Sequence, residues 1–583
     1  MFFSICIAGL MVSVRIDGVV VSVPEGTTIL GAAANVGVKI PALCKHKDLP
    51  PTASCGLCIV KIVGNGRICK ACCTKISDGM DVVTDDPKIV AERRSIFESV
   101  VSNHSNSCQL CVRDGCCELQ NLAADLGMDR NNFAHCPKNS PKDVSTDAIE
   151  FDHSKCVKCR RCVLICQKMQ GVRALTYKRS GDGEAIVPVG GDSLAKSPCV
   201  RCGQCALHCP TGAIVEKDDV PAVLEKLSGS KNFCTVQIAP SVRVSIGDAF
   251  GLPIGTNCTE KLYTAMRMLG FKAVFDTNFS ADLTVMEEAA EFVERFVSGR
   301  GELPMMTSCC PAWVDYVEKF YPDLCENLST AKSPQQMLGV MAKTYFAKAR
   351  NIDPGTMVQV SAMPCTAKKY ELRRNEKMSA SGYMDVDISI TTRELARLMK
   401  MAGIDFANLP DGSVDSILGE YSGAGAIFGT SGGVMEAALR TAHFNLSGMS
   451  VFGEAIEMEN IRGMSGLRRA TVLMNGKEVR VAMVHGLGNA PEILDEVLSA
   501  KKSGAAIPYH FIEVMACRGG CLGGGGQPYG ICDEIRQKRR DGLYSDDRMR
   551  SRRCAHDNPE IKEVYKNFLG MPLSEIAHKL LHV

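Results

Sequence analysis

The chain has 583 residues, 45% of them apolar and 23% charged, with a formal net charge of +2. That length suggests roughly four domains of about 150 residues each. The near-neutral balance excludes a global pull toward nucleic acid or an anionic membrane, and no run of about 18 apolar residues is present to span a bilayer.

The outlying number is 30 cysteines. In a long chain without a secretory signal, metal ligation explains them better than disulfides do. The amino end, MFFSICIAGLMVSV, carries no Lys or Arg before Arg15 and no small-residue cleavage site, so a secretory signal is not expected. It reads as a leader flowing into a strand, with Met11 as an alternative start. Apolar and polar residues then alternate in VSVRIDGVVVSV, with Asp17-Gly18 at the turn, which predicts a β-hairpin. Thr27 is placed to cap the helix TTILGAAANVG, which Gly37 would close.

Cys44, Cys55, Cys58 and Cys72 follow. Two thiolates in C-x-x-C with one on either side suit a 2Fe–2S site, although the gap from Cys44 to Cys55 exceeds the plant-ferredoxin spacing. Cys69 and Cys73 compete with Cys72 for the fourth position, and zinc would accept the same donors. Next, HSNSCQLCVRDGCC offers His104, Cys108, Cys111 and Cys117, with Cys116 spare. Three thiolates and an imidazole serve zinc or a 4Fe–4S cluster equally well by spacing; in a cluster the imidazole removes one negative charge and raises the potential.

The third and fourth groups are more specific. Cys156, Cys159, Cys162 and Cys166 form C-x2-C-x2-C-x3-C, and Cys199, Cys202, Cys205 and Cys209 repeat it, closing on Pro210. In the two-cluster bacterial pattern the fourth cysteine of each run serves the other cluster. One 4Fe–4S cluster should therefore take Cys156, Cys159, Cys162 and Cys209, and the other Cys199, Cys202, Cys205 and Cys166. Gln167 stands where the first run would carry a proline, which weakens that turn.

From residue 230 onward the texture is α/β. FCTVQIAPSV and AVFDTNF read as short buried strands, VDISITT as a strand running into the helix RELARLMKMAG, and KLYTAMRMLGF, DLTVMEEAAEFVERFV and PQQMLGVMAKTYFAKA as helices. The glycine-rich GEYSGAGAIFGTSGG leads into another. On the helix DLTVMEEAAEFVERFV, Glu288 and Glu291 are three apart and share a face. RQKRRDGLYSDDRMRSRR reads as a solvated basic face, with docking of an acidic partner as the alternative. No nucleotide-binding fingerprint is present.

Three further stretches carry cysteines: TSCCPAW at 307–313, AMPCTAKKYE at 362–371 and EVMACRGGCLGGGGQP at 513–528. Together with TAKSPQQ and EYSGAGAIFGTSGGVMEAALR, they resemble the three signatures of the iron–iron (FeFe) hydrogenases. The resemblance covers nearly the whole chain, since larger members carry the same four upstream cluster motifs in this order. It implies an H-cluster: a 4Fe–4S cubane joined through a cysteine sulfur to a diiron unit bearing CO, cyanide and a dithiolate bridge. The matching ligands are Cys310, Cys365, Cys517 and Cys521, with Cys521 bridging. Four thiolates suit a cubane, and glycines 519–520 and 523–526 let the backbone approach it closely.

By the same resemblance Cys309 is the proton donor to the diiron unit, fed from solvent through Glu291, Ser329 and Glu288, with Arg295 at the outer mouth. Lys368 holds a cyanide ligand, and Met363, Met515, Ser241 and Gln335 line the site. Where the family often reads Ser-His-Glu-Asn, this chain has Ala555-His556-Asp557-Asn558. Ten cysteines (Cys6, Cys69, Cys73, Cys116, Cys136, Cys234, Cys258, Cys325, Cys532 and Cys554) are left unassigned.

The expected fold is a multidomain α+β chain in four parts. They are a β-grasp 2Fe–2S ferredoxin-like domain (1–88), a small helical His/Cys3 domain (89–147), a bacterial two-4Fe–4S ferredoxin domain (148–222), and a two-lobed α/β H-cluster domain with mixed sheets flanked by helices (232–583). The expected activity is reversible reduction of protons to dihydrogen, with three accessory 4Fe–4S clusters and one 2Fe–2S as the wire. Expected partners are ferredoxin or NAD(P)H-oxidising flavoprotein subunits, and maturation proteins for the diiron unit, in the cytoplasm of an anaerobe. Two rivals stand beside this. An electron-transfer subunit like the cluster-rich arm of complex I explains the first 210 residues but not the later signatures. A non-catalytic hydrogen sensor or assembly relative has no need of Cys309, Glu288 and Glu291.

Overall fold

A computed structural model describes residues 10–102, 104–105, 107–129, 142–180, 183–450 and 458–583. The apolar leader and Cys6 and Cys136 lie outside these residues.

The first five strands form one sheet in the order 19–24, 11–16, 80–83, 59–62, 68–70. The expected hairpin pairs Met11–Ile16 with Val19–Pro24, and both turn residues are left-handed, Asp17 at φ 47° and Gly18 at φ 86°. Two such residues give the tight turn whose twist matches that of the strands. Met11–Ile16 also pairs in parallel with Met80–Val83, and the helix Ile29–Asn35 packs Ile29, Ala32 and Ala33 against Val14, Val60 and Val82. The cap is one residue later than the sequence suggests. Thr28 accepts the Gly31 N–H at 3.2 Å, while the Thr27 hydroxyl donates to the Pro24 carbonyl at 2.6 Å. Gly37 does close the helix, at φ 74°.

Helices Pro87–Val101 and Glu118–Asp125 bury Phe97, Val101, Leu119 and Leu122 together with Leu43 and Leu57 of the preceding domain. Beyond them, the two cysteine runs fold alike. Lys158 (φ 54°) and Arg160 (φ 64°) in the first run, and Arg201 (φ 59°) and Gly203 (φ 68°) in the second, sit in left-handed conformations between the cysteines. Each run then enters a short helix, Arg161–Leu164 and Gln204–His208. Pro210 stops the second helix. The first, lacking a proline, continues through Cys166 as a π-turn over Ile165–Met169.

The remaining residues build two four-stranded sheets. The first, in the order 273–276, 233–238, 357–363, 388–391, is parallel throughout. In the second, Met305–Met306, Phe511–Met515 and Lys477–His485 run parallel, and Leu467–Met474 is an antiparallel edge. Near-continuous apolar strands such as Met357–Met363, buried at every position, are what a sheet covered on both faces requires. Asp276 ends the strand Ala273–Asp276 and caps the long helix Thr277–Ser298, so AVFDTNF is half strand and half helix. Among the described residues no helix is long and apolar enough to cross a membrane.

The basic stretch near the end is a solvated face only in part: Lys538, Arg548 and Arg552 are exposed, but other basic residues turn inward. It forms the helix Asp533–Met549, in which Arg536 and Arg539 are each 1% exposed. Arg536 binds both oxygens of Asp48, 488 residues away in the first domain, and Asp533 at 2.8 Å. Arg539 donates to Asp248 at 2.6 Å and to the Leu522 carbonyl at 2.9 Å. The acidic partner is the chain itself. Buried guanidinium groups persist only where carboxylates and carbonyls satisfy their fork of donors.

Candidate functional site

The four upstream cysteine groups are brought together as follows. In the first domain the thiols of Cys55 and Cys72 both reach Cys44, and Cys72 also reaches Cys58. Cys73 is exposed and turned toward the Lys70 carbonyl, and Cys69 lies within the core strand Ile68–Lys70. In the second, Cys111 neighbours Cys117 and Cys108 sits on the turn before it; the His104 N–H closes the preceding helix on Val101 at 2.9 Å. A cavity of about 300 Å³ is lined by Cys156, Cys159, Cys162 and Cys209. Another of about 370 Å³ is lined by Cys166, Cys199, Cys202 and Cys205. The fourth cysteine of each run thus faces the other run's cavity.

A further cavity, of about 720 Å³, lies between the two later sheets. It lies beyond the carboxyl ends of their parallel strands, where open α/β sheets place ligands. Ile238 leads to Ser241, Met306 to Cys309 and Cys310, Met363 to Cys365, and Met515 to Cys517 and Cys521; all of these residues but Ile238 and Met306 line the cavity, as do Gln335 and Lys368. Cys310 takes the cap position of the helix Pro311–Phe320, so the bend at TSCCP is a loop-to-helix turn. The chain's single tryptophan, Trp313, is fully buried on that helix and donates to the Thr307 carbonyl at 2.9 Å.

The donor set fits a four-thiolate cluster. Burial raises the Cys310 thiol, pushes Cys365 up to about 12 and lifts Cys517 and Cys521 well above the ordinary range. Such thiols stay protonated unless metal ions supply the compensating charge. The glycines leave no room for side chains: a Cβ on Gly524 would stand 2.2 Å from the Pro364 carbonyl oxygen, and one on Gly520 2.6 Å from the Met515 sulfur. The Ser241 hydroxyl lines the cavity and is buried without a partner among the described residues, so it can donate to a ligand there.

Lys368 remains a cation. Burial would lower its pKa, but the Glu371 carboxylate raises it past the usual value. Its ammonium donates to Glu371 at 2.9 Å and to the Cys309 carbonyl at 3.0 Å. Gln335 is fixed by donating to Glu371 at 2.9 Å and accepting from Ser361 at 2.8 Å.

Behind Cys309 runs a line of acids on the helix Thr277–Ser298. Burial first, then the Glu288 charge, push the Cys309 thiol well above its ordinary range, so it holds its proton. Glu288 is fully buried; desolvation and then the Glu291 charge raise its carboxyl to about 8. The Ser308 backbone and Ser329 hydroxyl lie close to Glu288, yet neither carboxyl oxygen completes a hydrogen bond. Glu291 accepts from Ser329 Oγ at 2.7 Å, from Arg295 at 2.5 Å and from the Thr330 N–H at 3.1 Å. Arg295 also donates to the Leu328 carbonyl at 2.9 Å and the Glu302 carbonyl at 3.0 Å, closing the outer end.

Three residues of the site were not singled out from the sequence. Glu371 had a signal, its three-residue spacing from Lys368. Glu513, fully buried, accepts the N–H groups of Gly432 (2.6 Å) and Met435 (2.8 Å) at the start of the helix Gly433–Ser447. Gln527 donates to the Cys521 carbonyl at 3.1 Å and the Ser241 carbonyl at 3.4 Å, tying two loops of the cavity together. Neither of the last two is readable locally: the partners of Glu513, and the Ser241 carbonyl that Gln527 reaches, are far away in sequence. Asn558, in the stretch that departs from the family pattern, donates to Asp282 at 2.9 Å.

Comparison with known proteins bears on the whole chain. Residues 232–525 match the iron only hydrogenase large subunit, C-terminal domain, and 533–583 the iron hydrogenase small subunit. Residues 9–87 match a 2Fe-2S iron-sulfur cluster binding domain, 93–132 the NADH-ubiquinone oxidoreductase-G iron-sulfur binding region, and 155–213 a 4Fe-4S dicluster domain. The NADP-reducing hydrogenase subunit HndD of Solidesulfovibrio fructosivorans is 44% identical over 589 residues, 98% of each chain. Iron hydrogenase 1 of Clostridium pasteurianum is 38% identical over 581 residues, covering 98% of this chain and 99% of that one. Among solved structures, apo FeFe-hydrogenase HydA1 from Chlamydomonas reinhardtii is 38% identical with a TM-score of 0.55, covering 63% of this chain and 98% of the other.

Proposed function

The chain belongs to the iron–iron hydrogenase family, and from that premise we propose that it interconverts two protons and two electrons with dihydrogen at the large cavity. The observation that carries this is the convergence of four cysteines from both sheets on one cavity, with Cys309 among them and a line of buried carboxyls behind. Cys310, Cys365, Cys517 and Cys521 would hold an H-cluster, with Cys521 bridging to its diiron unit. When bound, that group supplies the redox and hydrogen-activating chemistry.

The chain's own residues do the rest. Lys368 and the Ser241 hydroxyl would hold the unit's cyanide ligands, and Met363, Met515 and Gln335 would line its surroundings. Cys309, protonated and half-buried, passes a proton into the cavity and recovers one from Glu288. Glu288 is refilled from Glu291 through the Ser329 hydroxyl, and Arg295 holds Glu291 at the outer end. Each member sits where it can carry a proton in one state and release it in the next.

The upstream residues form the electron supply. Cys44, Cys55, Cys58 and Cys72 would hold 2Fe–2S; His104, Cys108, Cys111 and Cys117 a 4Fe–4S cluster; and the crossed runs two more. The domains would divide at 1–88, 89–147, 148–222 and 232–583. A flavoprotein subunit oxidising NAD(P)H, supported by the name of the HndD relative, or a free ferredoxin would exchange electrons with this end. Maturation proteins would deliver the diiron unit, in the cytoplasm. The test is the infrared spectrum of the matured protein. CO and cyanide bands are expected, and they should vanish in Cys521→Ala while the upstream clusters remain; unchanged bands in that variant would overturn the ligand assignment.

A further inference from the structure

The relay described above depends on a loop, 329–331, whose Ser329 Oγ and Thr330 N–H both meet Glu291. On the cavity side that loop is held by the Ser329 N–H on the Met306 carbonyl (2.7 Å) and by Ser308 Oγ on the Ala331 carbonyl (2.7 Å). On the outer side it is held by His582, which is 3% exposed. The segment after the helix Glu575–Leu581 pairs with the loop: Val583 N–H donates to the Thr330 carbonyl, and Lys332 N–H to the Leu581 carbonyl, each at 2.8 Å.

The imidazole fixes a second connection. Its Nε2 lies 3.1 Å from Glu287, a fully buried carboxylate that also accepts from the Tyr565 hydroxyl (2.5 Å) and the Leu573 N–H (2.9 Å). A carboxylate only accepts, so Nε2 carries the hydrogen. In the neutral ring Nδ1 is then the acceptor, and the Thr330 hydroxyl, 2.8 Å away, donates to it. Glu287 immediately precedes Glu288 on the relay helix, and Thr330 immediately follows Ser329 on the relay loop. The ring therefore spans the two elements whose separation sets the Glu291–Ser329–Glu288 spacing.

We propose that His582 is a positioning residue for proton supply, a cross-brace between Glu287 and Thr330 that keeps the Ser329 hydroxyl and Thr330 N–H on Glu291. This rests on the relay reading given above. The brace works through two hydrogen bonds of fixed spacing, so a side chain that donates from one atom and accepts at its neighbour can replace the ring.

The test uses the matured holoenzyme. His582→Leu and Thr330→Val, the latter retaining the backbone N–H, should each lower turnover about tenfold, equivalent to about 1.4 kcal/mol in the barrier. Both should raise the solvent deuterium isotope effect while leaving the CO and cyanide bands unchanged. In the chain lacking the diiron unit, the carboxyl infrared band of Glu291 should shift in both variants. His582→Gln, whose amide can donate to Glu287 and accept from Thr330, should restore turnover to within about twofold of wild type and return the band. His582→Leu with native turnover, isotope effect and carboxyl band, beside an inactive Glu291→Gln, would overturn the brace alone. So would a His582→Gln enzyme as slow as His582→Leu. A fully active Glu291→Gln would overturn the relay itself, and the brace with it.

Discussion

Replacing Glu288 by glutamine should flatten the dependence of stability on pH. The side chain is fully buried, and desolvation followed by the Glu291 charge lifts its carboxyl from 4.5 to about 8. Between those values the folded chain keeps a proton that the unfolded chain has released. Stability is then greatest below 4.5, falls as pH rises by about 1.4 kcal/mol per unit, and levels off above about 8. Across the window, 8 − 4.5 = 3.5 units, one such group costs roughly 5 kcal/mol. Glutamine has the same shape and no charge, so its curve lacks this contribution, and the terms common to both proteins cancel in the difference. Trp313, the only tryptophan and fully buried beside the cavity, gives a fluorescence signal for anaerobic guanidinium unfolding of the catalytic domain. Between about pH 5 and pH 8.5 the variant should gain roughly 3 kcal/mol or more on the wild type. Parallel curves would refute the protonated carboxyl, and with it the idea that Glu288 is charged with a proton at neutral pH. The variant's turnover should collapse at every pH, since an amide passes no proton.

Cys309→Ala should retain its iron and its CO and cyanide bands but lose turnover by about a hundredfold or more, the usual range for a lost proton donor; a fully active variant would remove Cys309 from the relay. Arg536→Leu leaves Asp48 buried beside His208 without its guanidinium, at a cost of about 3 kcal/mol. Faster proteolysis of the 2Fe–2S domain should reveal that loss, and Asp48→Asn in the same chain should recover part of it. Gly524→Ala drives a Cβ to within 2.2 Å of the Pro364 carbonyl, so the catalytic domain should lose about 2–4 kcal/mol and hold less iron. Native iron content and an unchanged Trp313 transition would show that the backbone there has room to move.

Spacing made the crossed cysteine runs legible, because a C-x2-C-x2-C-x3-C run is a local object. The cavity's cysteines were legible only through the resemblance of their three stretches to a family's signatures; that each stretch follows a strand is what the fold adds. Ambiguity entered wherever the deciding contact was distant. Cys69, Cys72 and Cys73 are equivalent in sequence, and only the fold turns Cys72 toward Cys44 and Cys58, keeps Cys69 in the strand Ile68–Lys70 and leaves Cys73 exposed. Two adjacent threonines could each cap the first helix, and the Pro24 carbonyl occupies Thr27. RQKRRDGLYSDDRMRSRR misleads because composition alone makes it solvent-exposed; its buried arginines answer to Asp48 and Asp248, which no local window contains. Glu513 was missed for the same reason.

The pairing of Met305–Met306 with Phe511–Met515 bears on how the molecule comes into being. A chain emerging from the ribosome carries the thiols of its first site by residue 72 and of its crossed runs by residue 209. The large cavity's thiols are spread from Cys310 to Cys521, and the strand that ends at Met515 has to find a partner emitted some 200 residues earlier. Closing so long a loop is slow compared with forming the local runs, and domains nearer the amino end fold first. The amino-terminal sites can therefore be complete while the large cavity is still in pieces.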